Sequence, residues 1–350
     1  MCSLRGRPLR RTNAASGSCL FIAPQWVGDA VMSQPLLADL AERGPVDVLC
    51  NETLTELFAH MPGTRRVLPA RFQRGALELS ERRRWARELT KAGYERAVVC
   101  PNSWKSALIP WLARIPHRRG LLGEMRLGLI NQRRRPLGPS QPEAYAALAD
   151  HPARALETKP QITPPGRLTG SLAWFSCAGR RLALCPGAEF GPAKQWPAEH
   201  AASLARMWIE AGGSVMTLGT QRDQEIESRI QTSLFSGLEE RDRARFMPRA
   251  GQTSLGEAIA LLSEADAVVS NDSGLMHAAA ALGRPTLGLY GSSDPRRTPL
   301  RGAHSTSIWL GLDCSPCLAR SCPLGTLACL EQIAPGRVRA TLEDLMHTDP

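Results

Sequence analysis

The sequence predicts an α/β protein of two doubly wound domains, and three observations carry that reading. The chain has 350 residues, about twice an ordinary domain. Apolar strand-like runs alternate with helical patterns in both halves, on either side of a stretch where the pattern is lost. Ala267–Ser270 reads as a buried strand, Asn271–Gly274 as a polar turn and Leu275–Leu282 as a helix stopped by Gly283, with Thr286–Tyr290 as the next strand. Strand, glycine turn, helix, strand is a parallel βαβ unit, and ligands bind beyond the carboxyl ends of such strands.

The other elements follow in order. Leu20–Ala23 is the first strand, Pro24–Asp29 its loop, and Ala30–Arg43 a helix with Pro35 near its start. Val46–Cys50 is a strand, Thr53–His60 a helix, Arg66–Leu68 a short strand and Gly75–Ala92 a long charged helix. Arg96–Cys100 is a strand, and Trp104–Ala113 a helix that Pro110 kinks and Pro116 ends. From His151 to Gly179 the pattern lapses, and Pro160, Pro164, Pro165, Gly166 and Gly170 mark a linker. Then come strand Leu182–Cys185, a helix opened by Pro197 and closed by Gly212 and Gly213, strand Val215–Leu218 and helix Asp223–Leu234. Ser254 and Glu257 form a capping box for a helix reaching Ser263, and Pro335 begins a last amphipathic helix. The expected divisions are a basic, disordered extension at 1–17, a domain at 18–160, a linker at 161–180, a second domain at 181–334 and the terminal helix at 335–350.

Composition narrows the function. A hydrophobic fraction of 43% supports sizeable cores, while no apolar run approaches the roughly 18 residues needed to span a bilayer. Residues 1–17 are basic and lack an apolar h-region, so they are not read as a secretory signal. A formal charge of +10 suits an anionic partner, and arginines cluster at 82–84, 118–119 and 133–135. Aromatic residues at 5% leave no stacking platform for single-stranded nucleic acid. Cys2, Cys19, Cys50, Cys100, Cys177 and Cys185 are scattered in mostly apolar surroundings and read as small buried hydrophobes in a reducing compartment.

Several residues could carry chemistry. Asp29, after the first strand, suits either a base that accepts a hydroxyl proton or an N-cap. Lys194 follows Gly187 and Gly191 in a strand-to-helix loop and could neutralise a diphosphate leaving group; the bland alternative is a solvated lysine. Asp272 could bind sugar hydroxyls or cap a helix, and His277 could be a donor contact or a satisfied core histidine. Asp223 or Glu225 could hold ribose hydroxyls or serve as helix N-terminal charge. No Gly-Lys-Ser/Thr P-loop and no GxGxxG fingerprint is present, which weighs against NAD. Cys314, Cys317, Cys322 and Cys329 have zinc-compatible spacing, but they do not form two CxxC knuckles and no histidine is interleaved. A loop of free thiols is expected there, with a structural zinc as the alternative.

Four segments carry a family resemblance. Ser270–His277 resembles the donor-site signature of glycosyltransferase family 9, the bacterial heptosyltransferases. Cys185–Pro197 resembles the branch of that family acting on the first heptose of the lipopolysaccharide inner core. Pro101–Leu108 and Ile115–Arg126 resemble its N-terminal half, so the likeness runs from about Ser18 to the C-terminus. The resemblance implies a GT-B fold, two Rossmann-like domains facing a cleft, with the terminal helix packing back on the first domain. It implies ADP-L-glycero-β-D-manno-heptose as donor, held by Gly187, Glu189, Lys194, Asp223, Glu225, Asp272, Ser273, Gly274, Leu275, Met276 and His277. It implies heptosyl-Kdo2-lipid A as acceptor, with Lys105, Arg118, Arg119 and Arg126 as candidates for its anionic groups. Asp29 would be the catalytic base and Lys194 would stabilise departing ADP, with inversion at the anomeric carbon and no required cofactor or metal. A monomer is expected in the cytoplasm, at the inner face of the inner membrane, with no nucleic-acid partner. The competing readings are another family 9 enzyme with a different acceptor and a basic, zinc-containing nucleic-acid-binding protein; the Glu189–Pro192 segment weighs against the first, and few aromatics with two α/β halves against the second.

Overall fold

The computed structural model describes residues 17–72, 76–166, 168–170, 174 and 179–347; residues 1–16 of the extension, Gly75, Cys2, Cys177 and part of the expected linker lie outside them. The first elements are β1 (Cys19–Ile22), α1 (Val27–Met32), α2 (Gln34–Ala41), β2 (Val46–Asn51), α3 (Thr55–Ala59), β3 (Thr64–Ala70) and α4 (Leu79–Ala92). They continue with β4 (Arg96–Val99), α5 (Trp104–Leu112), β5 (His117–Leu121), β6 (Gln132–Arg134), α6 (Gln141–Ala146) and α7 (Pro152–Glu157). The second half contains β7 (Arg181–Cys185), α8 (Ala198–Glu210), β8 (Ser214–Thr217), α9 (Gln224–Phe235), β9 (Phe246–Pro248) and α10 (Leu255–Ser263). It ends with β10 (Ala267–Asn271), α11 (Gly274–Ala281), β11 (Thr286–Tyr290), β12 (Ser305–Trp309), α12 (Ala328–Glu331) and α13 (Pro335–His347).

Contacts divide the chain into two units: Ser33–Thr158 with the segment ending at Gln25, and the chain from Lys159 onward together with Trp26–Met32. The first unit holds a parallel sheet in the order β3-β2-β1-β4-β5-β6. Apolar side chains from β1, β2 and β4, including Leu20, Ile22, Leu49 and Val99, pack with Trp85 and Leu89 of α4. The second unit holds a parallel sheet in the order β12-β11-β10-β7-β8-β9. Its core joins Leu182, Leu184, Val269 and Leu289 to the alanine-rich face of α8. In each sheet the chain winds outward from its first strand and then returns to wind the other way. That creates a topological switch point between β1 and β4, and another between β7 and β10.

The departures from expectation have local causes. The helix expected at Ala30–Arg43 is two helices, broken at Ser33, with Pro35 in the first turn of α2 where its missing N–H costs nothing. The 26–32 segment that carries Asp29 belongs to the second unit rather than to the 18–160 domain. Strand β5, His-Arg-Arg-Gly-Leu, carries no apolar alternation to announce it; Arg119 stands in it because its guanidinium pairs with Asp150 at 2.8 Å and donates to the Leu148 carbonyl at 2.9 Å. The expected linker is partly fastened to the second unit, since the Ile162 N–H donates to the Ala281 carbonyl and the buried Trp174 indole donates to the Leu261 carbonyl. Helix α13, expected on the first domain, buries Val338 and Leu342 in the second unit's core, in contact with α8 and β11. No helix among the described residues is long and apolar enough to cross a membrane.

Candidate functional site

The candidate site gathers at the switch point of the second sheet. Its floor is the loop after β7, residues 186–196, and the turn after β10, Asp272–Ser273. Asn271 fastens the two together: its Oδ1 accepts from the Trp196 N–H at 3.1 Å and its Nδ2 donates to the Pro186 carbonyl at 2.6 Å. Trp196 is itself pinned, its indole N–H donating to the Ile333 carbonyl at 3.0 Å. The sequence reading passed over Asn271, which looks like one more polar turn residue; its value lies in contacts 75 and 85 positions away.

Lys194 ends a 3-10 turn, Pro192–Lys194. Its Nζ donates to Asp272 Oδ2 at 2.5 Å, and the two side chains are only 18% and 7% exposed. The ammonium also lies 5.2 Å from the Phe190 ring centre. The solvated-lysine reading therefore fails: Lys194 is a partly desolvated cation held against a buried carboxylate. His277 stands behind the pair, its Nε2 4.0 Å from Asp272 Oδ1. Burial holds the His277 imidazole below its usual pKa despite the pull of Asp272 and Asp29, and the Lys194 charge lowers it further. The ring is thus neutral at pH 7 and available for hydrogen bonding. Its 4.0 Å contact with Asp272 is electrostatic, longer than a hydrogen bond.

Helix α11 brings its N-terminus to the same place. Ser273 occupies the N-cap but its hydroxyl does not cap the helix amides; it lies 3.1 Å from Ser270 Oγ instead. Uncapped first-turn N–H groups favour an anion. Helix α1 packs directly on this end. A Cβ on Gly274 would stand 2.5 Å from Val27 Cβ, and one on Gly28 would stand 3.0 Å from the His277 ring, so glycine at both positions permits the approach. Asp29, in the first turn of α1 and half-buried, is thereby placed within electrostatic reach of His277.

The remaining expected residues divide. Asp223 lies against Gly187, but its Oδ2 accepts from the Thr220 N–H at 2.7 Å and from Thr220 Oγ1 at 2.8 Å, so one oxygen closes a capping box. Glu225 and Glu189 are exposed. The Met276 side chain is fully buried, so only its backbone is positioned to meet a ligand. In the first unit, Arg126 is 3% exposed and donates to the carbonyls of Pro101 and Leu121 and to Asn102 Oδ1. Arg118 donates to the Leu129 and Ile115 carbonyls at 2.7 Å, and Arg119 serves Asp150. Arg126 braces the loop beyond β4, Arg118 the segments flanking β5 and Arg119 the turn at Leu148–Asp150, while Lys105 is partly exposed at the start of α5. Cys19, Cys50, Cys100 and Cys185 are buried, and burial pushes the Cys185 thiol up to about 12.

Comparison with known proteins gives the family and the fold. The model of glycosyltransferase family 9 (heptosyltransferase) matches residues 82–328. The chain is 42% identical over 298 residues to the lipopolysaccharide heptosyltransferase 2 of Salmonella typhimurium, covering 80% of this chain and 84% of that protein. It is 41% identical over 298 residues to the Escherichia coli protein of the same description, with the same coverage of 80% and 84%. The solved structure of the E. coli ADP-heptose lps heptosyltransferase II superposes with a TM-score of 0.79 at 36% identity, covering 94% of this chain and 98% of that one. E. coli heptosyltransferase WaaC with ADP shares the fold, with a TM-score of 0.70 at 19% identity over 94% of this chain and 99% of that one. The chain has the GT-B type of fold and belongs to glycosyltransferase family 9, the heptosyltransferases.

Proposed function

We propose that this enzyme transfers L-glycero-D-manno-heptose from ADP-heptose to the first heptose of the lipopolysaccharide inner core. The observation that carries the reading is the gathering of Lys194, Asp272, neutral His277 and the α11 N-terminus at one switch point, with Asp29 on the helix packed against them. The reading is supported by the relatives at about 40% identity, named lipopolysaccharide heptosyltransferase 2, and by the solved structure at 36% identity titled an ADP-heptose lps heptosyltransferase II.

In this mechanism ADP-heptose lies over the loop after β7 with its diphosphate at the α11 N-terminus. Asp29 takes the proton of the acceptor hydroxyl as its oxygen attacks the anomeric carbon from the face opposite the diphosphate. The C–O bond to ADP breaks with inversion, and the negative charge that develops falls on oxygens near Lys194 and the α11 amides. Lys194 exchanges part of its bond to Asp272 for the diphosphate, and Asp272 then accepts from sugar hydroxyls. His277, uncharged, donates or accepts a hydrogen bond without adding a competing charge.

The acceptor is assigned to the first unit, near Lys105 and the loop beyond β4 that Arg126 braces. The proposed place of action is the cytoplasmic face of the inner membrane. In support, Met125 and Leu127 are 95% and 71% exposed and line one hollow with the exposed Arg133. Apolar side chains flanked by arginine suit an anionic lipid surface.

The test is Asp29→Asn, which keeps the side chain's size but cannot take a proton. A positioned base contributes about 10²–10⁴-fold, so turnover should fall by roughly that factor with the fold retained. Turnover within a few-fold of wild type in the folded variant would remove Asp29 as the base.

A further inference from the structure

Trp26 is the one exposed aromatic side chain among the described residues of the second unit, with 43% of its surface open. The unit's other tryptophans are treated differently. Trp174, Trp196 and Trp208 are at most 7% exposed, and each donates its indole N–H to a backbone carbonyl, those of Leu261, Ile333 and Arg180. Trp26 is left at the surface three residues before Asp29.

The position of the ring follows from how α1 is held. The Trp26 carbonyl accepts the first helical bond, from the Ala30 N–H at 2.8 Å, so the chain enters the helix at this residue. Val27 and Gly28 turn toward α11. A Cβ on Gly274 would lie 2.5 Å from Val27 Cβ, and one on Gly28 would lie 3.0 Å from the His277 ring. These contacts fix the rotation of α1 about its axis. Residues three apart share one side of a helix, so Trp26 and Asp29 sit together on a side that Val27 and Gly28 do not occupy. An open indole therefore flanks the carboxylate, on a helix whose orientation two close approaches hold.

Ligand sites pair an apolar, often aromatic, wall with a few placed polar groups. A pyranose suits this pair. One face of the sugar ring is a patch of C–H bonds that packs on an indole, while the hydroxyls at its rim stay free for a base. The π face of an indole is electron-rich, so it disfavours an anionic group lying on it. An uncharged sugar fits here better than one bearing a carboxylate.

We propose that the Trp26 indole is the platform on which the acceptor's reacting heptose lies, presenting its hydroxyl to Asp29. The platform rests on the transfer reading and adds to it a residue that holds the acceptor ring. Its contribution is to acceptor binding and to the orientation of the attacking oxygen, for which small misplacements are costly.

The test measures transfer from ADP-heptose to heptosyl-Kdo2-lipid A stripped of its ester-linked acyl chains, so that contact with lipid does not enter. Trp26→Ala should raise the KM for this acceptor roughly 10–100-fold, the scale of losing one aromatic anchor, with the KM for ADP-heptose within about twofold of wild type. Trp26→Phe keeps a flat ring and should recover most of the loss. Trp26→Leu keeps apolar bulk without a ring face and should not. Should Trp26→Ala fail to fold, the Phe and Leu variants decide between them. An acceptor KM in Trp26→Leu equal to that of the wild type would overturn the platform, and so would donor and acceptor KM rising together. In both cases the wild-type protein still transfers heptose, so the transfer reading stands. A wild-type protein that transfers no heptose would remove that reading and the platform with it.

Discussion

Removing the Lys194 ammonium should damage stability and catalysis by separable amounts. In Lys194→Ala, Asp272 keeps a carboxylate that is 7% exposed, and its nearest ionisable neighbour is then His277 at 4.0 Å, which is held neutral. Stranding one partner of a deeply buried pair costs about 3–5 kcal/mol. This lysine is 18% exposed, so water can reach part of the gap and about 1–3 kcal/mol is the better expectation. Adding Asp272→Asn removes the stranded charge and should return stability to within about 1 kcal/mol of wild type. Catalysis should not return with it. A preorganised group that meets charge developing in the transition state contributes about 10²–10³-fold, and that loss should persist in the double variant. Urea unfolding and ADP release from ADP-heptose measure the two quantities on the same samples. Recovery of turnover alongside stability in Lys194→Ala/Asp272→Asn would show that Lys194 only supports the fold.

The approach of α1 to α11 gives a second expectation: Gly274→Ala places a Cβ 2.5 Å from Val27 Cβ, so α1 must shift and turnover should fall more than Tm; unchanged turnover would show that the approach is not needed. Acid should weaken the first unit through Asp47. Burial alone would raise its pKa, but the hydrogen bonds from Arg65, Arg66 and Tyr94 outweigh it and hold the carboxyl below its ordinary value. A carboxyl depressed in the folded state stabilises above its unfolded pKa, near 4, and loses that contribution as pH falls below it. Urea midpoints between pH 7 and pH 3 should show the decline, and Asp47→Asn should flatten it; an equal acid slope in both proteins would contradict the assignment. For the proposed lipid-facing surface, Met125→Glu/Leu127→Glu should reduce co-sedimentation with anionic phosphatidylglycerol vesicles several-fold, and unchanged binding would place the contact elsewhere.

The sequence revealed most where burial leaves an apolar signature. Strands β10 and β11 and the glycine turn between β10 and α11 are legible because both strands are wholly buried in a sheet covered on its two faces. Strand β5 is not, because its arginines sit in the sheet through partners elsewhere, such as Asp150 for Arg119, and β6 is not, because it is a short, largely exposed edge strand with no apolar residue to mark it. Position 29 reads from the sequence as a candidate site residue, but its place in the second unit does not, since nothing local says which body a short helix joins. Lys194 and Asp272 were each legible as polar loop residues; their pairing spans 78 positions and needed the switch point between β7 and β10 to bring them together. The acceptor arginines show a different gap. Arg118, Arg119 and Arg126 stand in a family-like segment, yet their guanidiniums are engaged with carbonyls and carboxylates that sequence spacing does not reveal. Glu227 was invisible as a buried group; it lies on α9 and accepts from the backbone N–H groups of Arg249 at 2.9 Å and Ala250 at 2.8 Å.

The central claim is the transfer itself. The purified chain should be incubated with ADP-heptose and heptosyl-Kdo2-lipid A, with ADP release followed and the lipid product weighed by mass spectrometry. The account predicts one ADP released for each single heptose added to the acceptor, and no addition to Kdo2-lipid A that lacks the first heptose. Equal transfer to Kdo2-lipid A, or no transfer to the heptosylated acceptor by protein that binds ADP-heptose, would contradict it.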